Sequence, residues 1–306
     1  MLTGARKAIV LGIGGGGDIV GALATALLCR DFGLDVVLGG VAWERLPIDA
    51  DPGPRPVREI LGARPLADHV VLAGPETRTI AGAPFAEARM AEFLGEETLL
   101  VDIHDGPRAV ASSLATVATK LEADLVVCLD VGGDVLGNGS EPGLASPLCD
   151  AVMLAAAVRL ERAGVRTIGA VFGPCCDGEL TPEELVERLA ALAASGGLIG
   201  THGLTPAVTD ELERAVQVVP TEASAQAVRC ARGEFGPTTI RRGRRTVQLS
   251  PLGALTFYFS PTVAVETVSK LARAAFDAES LEHANDVLHS LGVRTELDFE
   301  RSFTEA

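Results

Sequence analysis

The chain has 306 residues, of which 47% are hydrophobic and only 4% aromatic, so small aliphatic side chains and glycine must fill a large core. Its net charge is −15, and its one basic cluster is the short arginine-rich segment 241–245, which disfavours nucleic acid as a partner. No apolar run reaches the length of a membrane span without glycines or charges, and no C-x-x-C motif indicates a structural zinc site.

The first element is an apolar strand, Lys7–Ile13, which leads through four consecutive glycines into a predicted helix, Ile19–Phe32. Glycine adopts left-handed backbone angles freely and lets a ligand approach the main chain closely. The glycines at 12, 14 and 17 match the spacing G-x-G-x-x-G between a strand and a helix, as in dinucleotide-binding proteins. This pattern raises NAD as a candidate cofactor.

Two features weaken the match to that motif. Asp18 stands at the start of the helix, where its carboxylate would compete with a phosphate for free N–H groups. The second strand ends in two glycines, and Glu44 comes several residues later than the acid that usually binds a ribose. A tight turn alone would need only two glycines, so the whole turn is still predicted to bind a ligand. Its residues are Gly14, Gly15, Gly16, Gly17 and Asp18.

Apolar runs alternate with helical patterns through the first two thirds of the chain, which predicts an α/β fold: a three-layer, Rossmann-like parallel sheet. The predicted strands are Lys7–Ile13, Asp35–Gly39, His69–Ala73, Thr98–Ile103, Ala123–Leu129 and Arg166–Phe172. The predicted helices are Ile19–Phe32, Pro84–Leu94, Ala109–Leu121, Pro147–Ala163 and Thr181–Ala194. Pro47–Pro65 is rich in proline, glycine and arginine and is predicted to be a surface excursion.

The pattern changes after Gly203, and residues 206–306 are predicted to form a C-terminal α+β extension, integrated with the ligand-binding core of residues 1–205. Its predicted strands are Ala215–Val219, Thr238–Arg242, Arg244–Leu249 and Leu255–Ser260, the middle two forming a hairpin around Gly243. Its predicted helices are Thr221–Arg232, Thr262–Phe276 and Ser280–Leu291. The arginines of this region are expected to pair with acids of the same chain or of a second subunit, or else to be solvated. They are Arg229, Arg232, Arg241, Arg242, Arg244 and Arg245.

Polar residues collect directly after the predicted strands, at the edge of a parallel sheet where ligands bind. The candidate catalytic residues are Asp102, His104, Asp105, Asp130, Asp134 and Asp177. The further candidate ligand-binding residues are Gly132, Gly133, Asn138, Glu141, Cys176 and Glu179. One such acid alone would be interpreted as a strand-end residue that accepts loop N–H bonds, but several acids on successive strand ends favour a shared ligand.

Several of these residues have a structural alternative. Asp134 and Asn138 can be turn formers beside glycines, and Glu141 can be a solvated loop acid. His104 is either a proton donor between two acids or a surface histidine. Cys176 is either a nucleophile or, as we prefer because Cys175 adjoins it, a structural cysteine.

A set of motifs spread over nearly the whole chain resembles one family, that of the domain of unknown function number 1152. The motifs are I-G-G-G-G-D-I-V-G-A (13–22), D-V-G-G-D-V-L (130–136), E-P-G-L-A-S-P-L-C-D-A (141–151), C-D-G-E-L (176–180), P-T-E-A-S (220–224) and L-S-P-L (249–252). The resemblance implies a Rossmann-like fold and one co-inherited unit, and it implies no particular reaction.

We therefore expect an enzyme that acts on a small polar metabolite. Its glycine turn would bind a nucleotide, phosphate or carboxylate, and its strand-end acids would serve acid–base chemistry or bind a metal or an amine. The alternative is a non-catalytic nucleotide- or metabolite-binding protein. The cofactor is open between NAD and a divalent metal, and a homo-oligomer is compatible with the sequence. Six cysteines without a paired spacing and no cleavable signal indicate a cytoplasmic protein that is not bound to a membrane.

Overall fold

The computed structural model describes residues 2–46, 49–50 and 52–304 of the chain. The strands are β1 (Lys7–Gly12), β2 (Asp35–Val41), β3 (Trp43–Glu44), β4 (Gly53–Pro54), β5 (Ile60–Leu61), β6 (Arg64–Ala67), β7 (Val70–Ala73), β8 (Arg78–Thr79), β9 (Thr98–Val101), β10 (Leu125–Val131), β11 (Thr167–Phe172), β12 (Leu198–Gly203), β13 (Gly236–Ile240), β14 (Arg245–Leu249) and β15 (Leu255–Phe259).

The helices are α1 (Asp18–Asp31), α2 (Ala86–Leu94), α3 (Gly106–Leu121), α4 (Pro147–Arg162), α5 (Pro182–Ala194), α6 (Pro206–Val218), α7 (Glu222–Ala231), α8 (Pro261–Thr267), α9 (Lys270–Ala275), α10 (Leu281–Ser290) and α11 (Glu296–Thr304). None of the described helices is long and apolar enough to cross a lipid bilayer.

One mixed sheet of nine strands, in the order β12-β15-β11-β10-β1-β2-β9-β7-β6, forms the centre of the molecule. Its five middle strands, from β11 to β9, run parallel, whereas β15 and β12 at one edge and β7 and β6 at the other pair antiparallel. The predicted α/β fold with a parallel core is therefore confirmed, and the strand predicted at 69–73 exists but runs antiparallel.

Helices cover both faces of this sheet, which gives the three layers. Along β1, Ile9 and Leu11 face one core with α3 and α4, while Ala8 and Val10 face the other core with α1. Burial on both faces explains why the strand sequences are apolar without alternation.

The strand order reverses between β1 and β10. From β1 the chain passes through α1 to β2 on one side, and from β9 it passes through α3 to β10 on the other side of β1. The carboxyl ends of the two strands separate at such a point and leave a crevice in which ligands of α/β proteins bind.

The C-terminal region completes the central sheet instead of standing beside it, because β15 inserts between β11 and β12. The hairpin β13–β14 pairs Ile240 with Arg245 around a turn at 241–243, and Ile240, Val247 and Leu249 enter the core that contains α1. The predicted hairpin is thus present, and its apolar side chains fix it to the body of the protein.

The structure differs from the predicted elements at several places. The strand predicted at Ala215–Val219 is wrong, because these residues belong to α6 and the residue that follows it, where Val208, Leu212, Ala215 and Val219 recur at helical spacing and are buried. The glycine-rich run before Leu204 contains the exposed edge strand β12, which its composition conceals. The helix predicted at Thr262–Phe276 is interrupted between α8 and α9, and α11 was not predicted.

The predicted surface excursion Pro47–Pro65 lies partly outside the described residues, which omit 47, 48 and 51. Its remainder contains short strands: β4 pairs with β3, and β5 pairs with β8.

Candidate functional site

A cavity of about 550 Å³ lies at the carboxyl ends of β1, β10 and β11, where the strand order reverses. Eight acidic residues line it, together with the glycine turn and four arginines. The acids are Asp18, Glu44, Asp130, Asp134, Asp150, Asp177, Glu179 and Glu222. The arginines are Arg45, Arg241, Arg242 and Arg244. Acids and arginines therefore line the same cavity.

The glycine turn follows β1 and is folded around the carboxylate of Asp18. Gly15 and Gly16 adopt left-handed backbone angles, with φ of 77° and 54°. The Gly14 N–H donates to Asp18 Oδ2 at 3.0 Å, and the Gly16 N–H donates to the Trp43 carbonyl at 2.8 Å. A side chain at Gly14 would collide with the Asp18 carboxylate, because its Cβ would lie 2.6 Å from Oδ2. The turn therefore presents an acid to the cavity.

Asp18 forms a first acidic trio with Asp130 at the end of β10 and Asp150 in the first turn of α4. Ligand oxygens of the three carboxylates lie within 4.8 Å of one another. Asp130 Oδ2 accepts the N–H groups of Gly133 at 2.9 Å and Val135 at 3.2 Å, which orients its carboxylate. Each member comes from a different element, so the tertiary fold alone brings them together.

Asp134, Asp177 and Glu179 form the second trio, and their ligand oxygens also lie within 4.8 Å of one another. Glu179 Oε2 accepts the N–H groups of Ala145 at 2.7 Å and Ser146 at 2.9 Å, just before α4 begins. The guanidinium of Arg245 lies 2.8 Å from Glu179 Oε1 and fixes the other oxygen.

Three carboxylate oxygens of this cavity are buried and accept no hydrogen bond: Asp134 Oδ2, Asp150 Oδ1 and Asp177 Oδ1. The three residues are 5%, 2% and 6% exposed. Buried polar atoms normally have partners, because an unpaired one loses its hydration without compensation. These oxygens offer positions at which a ligand that supplies positive charge can bind.

Burial raises the pKa of every aspartate in the two trios. The pKa values of Asp18 and Asp177 rise to about 7, in each case mainly through loss of hydration. Burial raises the pKa of Asp130, Asp134 and Asp150 well above the usual range, and neighbouring carboxylates add to each shift. The cavity therefore holds protons near neutral pH unless a cation replaces them.

Arg45 connects the glycine turn to the C-terminal helix. Its guanidinium donates to the Gly14 carbonyl at 2.6 Å and lies 4.4 Å from the centre of the Trp43 ring. Glu300 Oε1 lies 3.2 Å and Glu296 Oε1 3.6 Å from the guanidinium nitrogens. Glu296 also accepts two N–H groups at the start of α4, so one ion-pair network supports both the turn and the helix of Asp150.

The structure separates Asp102, His104 and Asp105 from the other candidate catalytic residues. They follow β9, which lies two strands from β1, and strands lie about 4.8 Å apart. Asp102 instead accepts the N–H groups of Val57 and His104 and bonds to the His104 ring, and Asp105 faces His69 at 3.6 Å. The expectation that Asp102 shares a cavity with Asp18 is therefore wrong.

The other candidate residues in the loop after β10 stabilise that loop and do not line the cavity. Asn138 Oδ1 accepts the Ser140 N–H, and Glu141 accepts the N–H groups of Asn138 and Gly139 and pairs with Arg188. The loop glycines Gly132 and Gly133 take φ above 120° and do not line the cavity. A side chain at Gly132 would overlap the carboxyl group of Asp177, so this glycine makes room for the second trio.

Cys176 is buried, does not line the cavity and faces Cys230. A hydrogen bond with Cys230 and burial raise the pKa of the Cys176 thiol well above its usual range. A thiol that stays protonated is a poor nucleophile, which agrees with the structural interpretation of this cysteine.

The sequence did not predict that Asp150, Arg45 and the arginines of the hairpin turn line the cavity. Asp150 follows no strand, and its side chain reaches the cavity only because α4 starts there. The feature of the sequence that could have indicated a role for Asp150 is the family motif at 141–151, which includes this residue.

The residues present fit a divalent cation better than NAD. In the dinucleotide motif, N–H groups of the turn bind the pyrophosphate and an acid after β2 binds the ribose. Here the Gly14 and Gly16 N–H groups have internal acceptors, and Glu44 accepts the Ala86 N–H at 2.6 Å. The two trios, by contrast, offer the carboxylate oxygens that Mg²⁺ and Mn²⁺ prefer.

Comparison with known protein families gives a match to the family described as Protein of unknown function (DUF1152), over residues 9–304. The chain belongs to this family. The match spans both trios, the glycine turn and the hairpin, so the whole cavity lies within the DUF1152 region. A search of curated proteins found no significant match.

The raised pKa values predict how stability depends on pH. Asp18 and Asp177 hold protons up to about pH 7 in the folded chain, but only to about their ordinary value of 3.8 when unfolded. Because the folded state binds more protons between these values, the free energy of unfolding falls as the pH rises through this window. We expect the Tm of protein kept in chelator to decline from about pH 5 to about pH 8.

Thermal denaturation of the Asp18→Asn, Asp177→Asn double variant should show a shallower decline. Asp102→Asn is the matched control, because hydrogen bonds lower the pKa of Asp102 and its titration lies below this window. A Tm that stays level or rises with pH in the parent protein would contradict the raised pKa values of these aspartates.

Proposed function

We propose that this protein is an enzyme that binds divalent cations in the acidic cavity and acts on a small, anionic, polar metabolite. The observation that carries the proposal is the group of three buried carboxylate oxygens without a hydrogen-bond partner, on Asp134, Asp150 and Asp177. A cation would supply the missing partners and would remove the repulsion among the carboxylates. The cavity volume of about 550 Å³ is suited to a small metabolite together with cations.

Each trio would hold one cation. Asp18, Asp130 and Asp150 would bind the first, and Asp134, Asp177 and Glu179 the second. Both sets consist of carboxylates without histidine or cysteine, which favours Mg²⁺ or Mn²⁺ over zinc. Divalent cations at such a site polarise substrate oxygens and activate bound water, which is the chemistry of metal-dependent hydrolases and lyases.

Glu44 and Glu222 are the cavity acids that belong to neither trio. Because Glu222 pairs with Arg241, we assign proton transfer to Glu44. Burial raises its pKa to about 7, so it can both take up and release a proton near neutral pH. Its Oε1 accepts the Ala86 N–H at 2.6 Å, which holds the carboxyl group in position. We expect the reaction to take place in the cytoplasm, because the six cysteines have no disulfide partner.

Isothermal titration with Mn²⁺ tests the cation sites. We expect two Mn²⁺ ions per chain, with proton release at about pH 6 because the bound cations displace protons from the aspartates. Asp150→Asn should weaken one site and Asp177→Asn the other, each by at least about tenfold. Asp102 lies outside the cavity, so Asp102→Asn should bind Mn²⁺ with the stoichiometry and affinity of the parent. A parent protein that binds no cation would refute the proposal.

A turnover screen tests the enzymatic part of the proposal. Mn²⁺-loaded protein would be incubated with pools of small anionic metabolites, and their consumption would be followed by NMR. For a metabolite that is consumed, Glu44→Gln should keep the cation stoichiometry and lower kcat by about 100-fold or more, because it removes the proton-transfer group. Metabolites that bind without any turnover would indicate a non-catalytic binding protein.

A further inference from the structure

The turn of the hairpin β13–β14 places three arginines in the wall of the acidic cavity. Arg241, Arg242 and Arg244 line it together with the acids of both trios, although the arginines come from a distant part of the chain. In a chain with a net charge of −15, such a concentration of positive charge beside a cluster of acids is unexpected. Arginines and acids in one wall suit a ligand that contacts the arginines directly and the acids through bound cations.

Two ion pairs anchor the base of this turn. On one side the Arg241 N–H donates to Glu222 Oε1 at 3.0 Å, and the Arg241 side chain lies 3.5 Å from Glu222 Oε2. On the other side Arg245 donates to the Asp177 carbonyl at 3.1 Å and pairs with Glu179. The second anchor ties the arginine turn directly to the second acidic trio.

The two arginines between the anchors are not committed to an acid. Among the described residues, neither Arg242 nor Arg244 has a carboxylate within ion-pair distance, and both side chains are exposed. The other arginines of this region do pair, as predicted: Arg229 with Glu234, and Arg232 with Asp210 and Glu213. Arg242 and Arg244 thus differ from their neighbours and remain available to an anion.

The backbone of the turn is also unusual for arginine. Arg241 and Arg242 both take left-handed angles, with φ of 53° and 56°, a region that residues with a Cβ rarely enter. Glycine or asparagine would adopt the same turn without strain. Strained backbone of this kind concentrates at ligand sites, where the side chain is required in spite of the conformation.

We propose that Arg242 and Arg244 bind the phosphoryl group of the substrate, so that it lies between the arginine turn and the cations held by the two acidic trios. A phosphate dianion takes hydrogen bonds from several guanidinium groups at once and is also a preferred ligand of Mg²⁺ and Mn²⁺. A carboxylate has one charge and two oxygens and would use only part of this arrangement. The inference rests on the proposed function and narrows its substrate to phosphorylated metabolites.

Cation and anion binding should therefore depend on each other. Without cations, the trios present only protonated or negatively charged carboxyl groups, which do not attract a phosphate. Cations bound by the trios would attract it. Inorganic phosphate should bind the Mn²⁺-loaded protein and not the protein in chelator, and acetate should bind more weakly than phosphate. Both can be measured by titration calorimetry.

The decisive comparison uses the double variant Arg242→Gln, Arg244→Gln. Its Mn²⁺ affinity should stay within about twofold of the parent, whereas its phosphate affinity should fall by about tenfold or more, since each guanidinium–phosphate contact is charge-assisted. Arg58→Gln, Arg214→Gln is the matched control: it removes the same charge from two exposed sites that do not line the cavity. Arg244→Gln alone provides a milder variant should the double variant lose its native circular dichroism.

The outcomes separate this inference from the proposed function. Unchanged phosphate affinity in a folded turn variant that still binds Mn²⁺ would overturn the role of the arginines and leave the cation sites standing. An equal loss of phosphate affinity in the control variant would show that the effect comes from net charge alone. That result would also overturn the role of the arginines. Failure of the parent protein to bind Mn²⁺ would refute both proposals together.

Discussion

Repulsion among buried carboxylates is the constraint on which the rest of this structure depends. Two trios of acids share one cavity at the point where the central sheet reverses its strand order. Burial opposes ionisation of each acid, and the neighbouring charges oppose it further, so the ionised cavity is unstable by itself. Protons relieve the repulsion at acid pH, and divalent cations can relieve it at neutral pH. Electrostatics therefore links the fold to the proposed function.

The surrounding elements hold these acids where they would not stay unaided. Arg45, fixed by Glu296 and Glu300 of the last helix, supports the glycine turn that carries Asp18. Glu296 also accepts N–H groups at the start of α4, beside Asp150. The C-terminal region thus contributes support for the first trio as well as a strand of the sheet, and the cavity requires the chain from its first strand to its last helix.

The sequence predicted those parts of the site that depend on local pattern. Asp18, Asp130 and Asp177 each follow a buried apolar strand, and strand ends of a parallel sheet meet at one edge. The strand order was not readable in the same way, so Asp102 was grouped with them although β9 lies two strands away. Asp150 was missed because no local pattern indicates which helix starts at the cavity. The spacing of hydrophobic residues indicates whether a segment is a strand or a helix. Which strands lie side by side in the sheet is set by tertiary packing.

The most direct test of the central claim is an anomalous difference map from crystals of the protein grown with Mn²⁺. Two peaks are expected in the cavity: one coordinated by Asp18, Asp130 and Asp150, and the other by Asp134, Asp177 and Glu179. Carboxylate oxygens should lie about 2.2 Å from each peak, as for other hard divalent cations. A map without a peak in the cavity, with the acids bonded to one another through shared protons, would contradict the account.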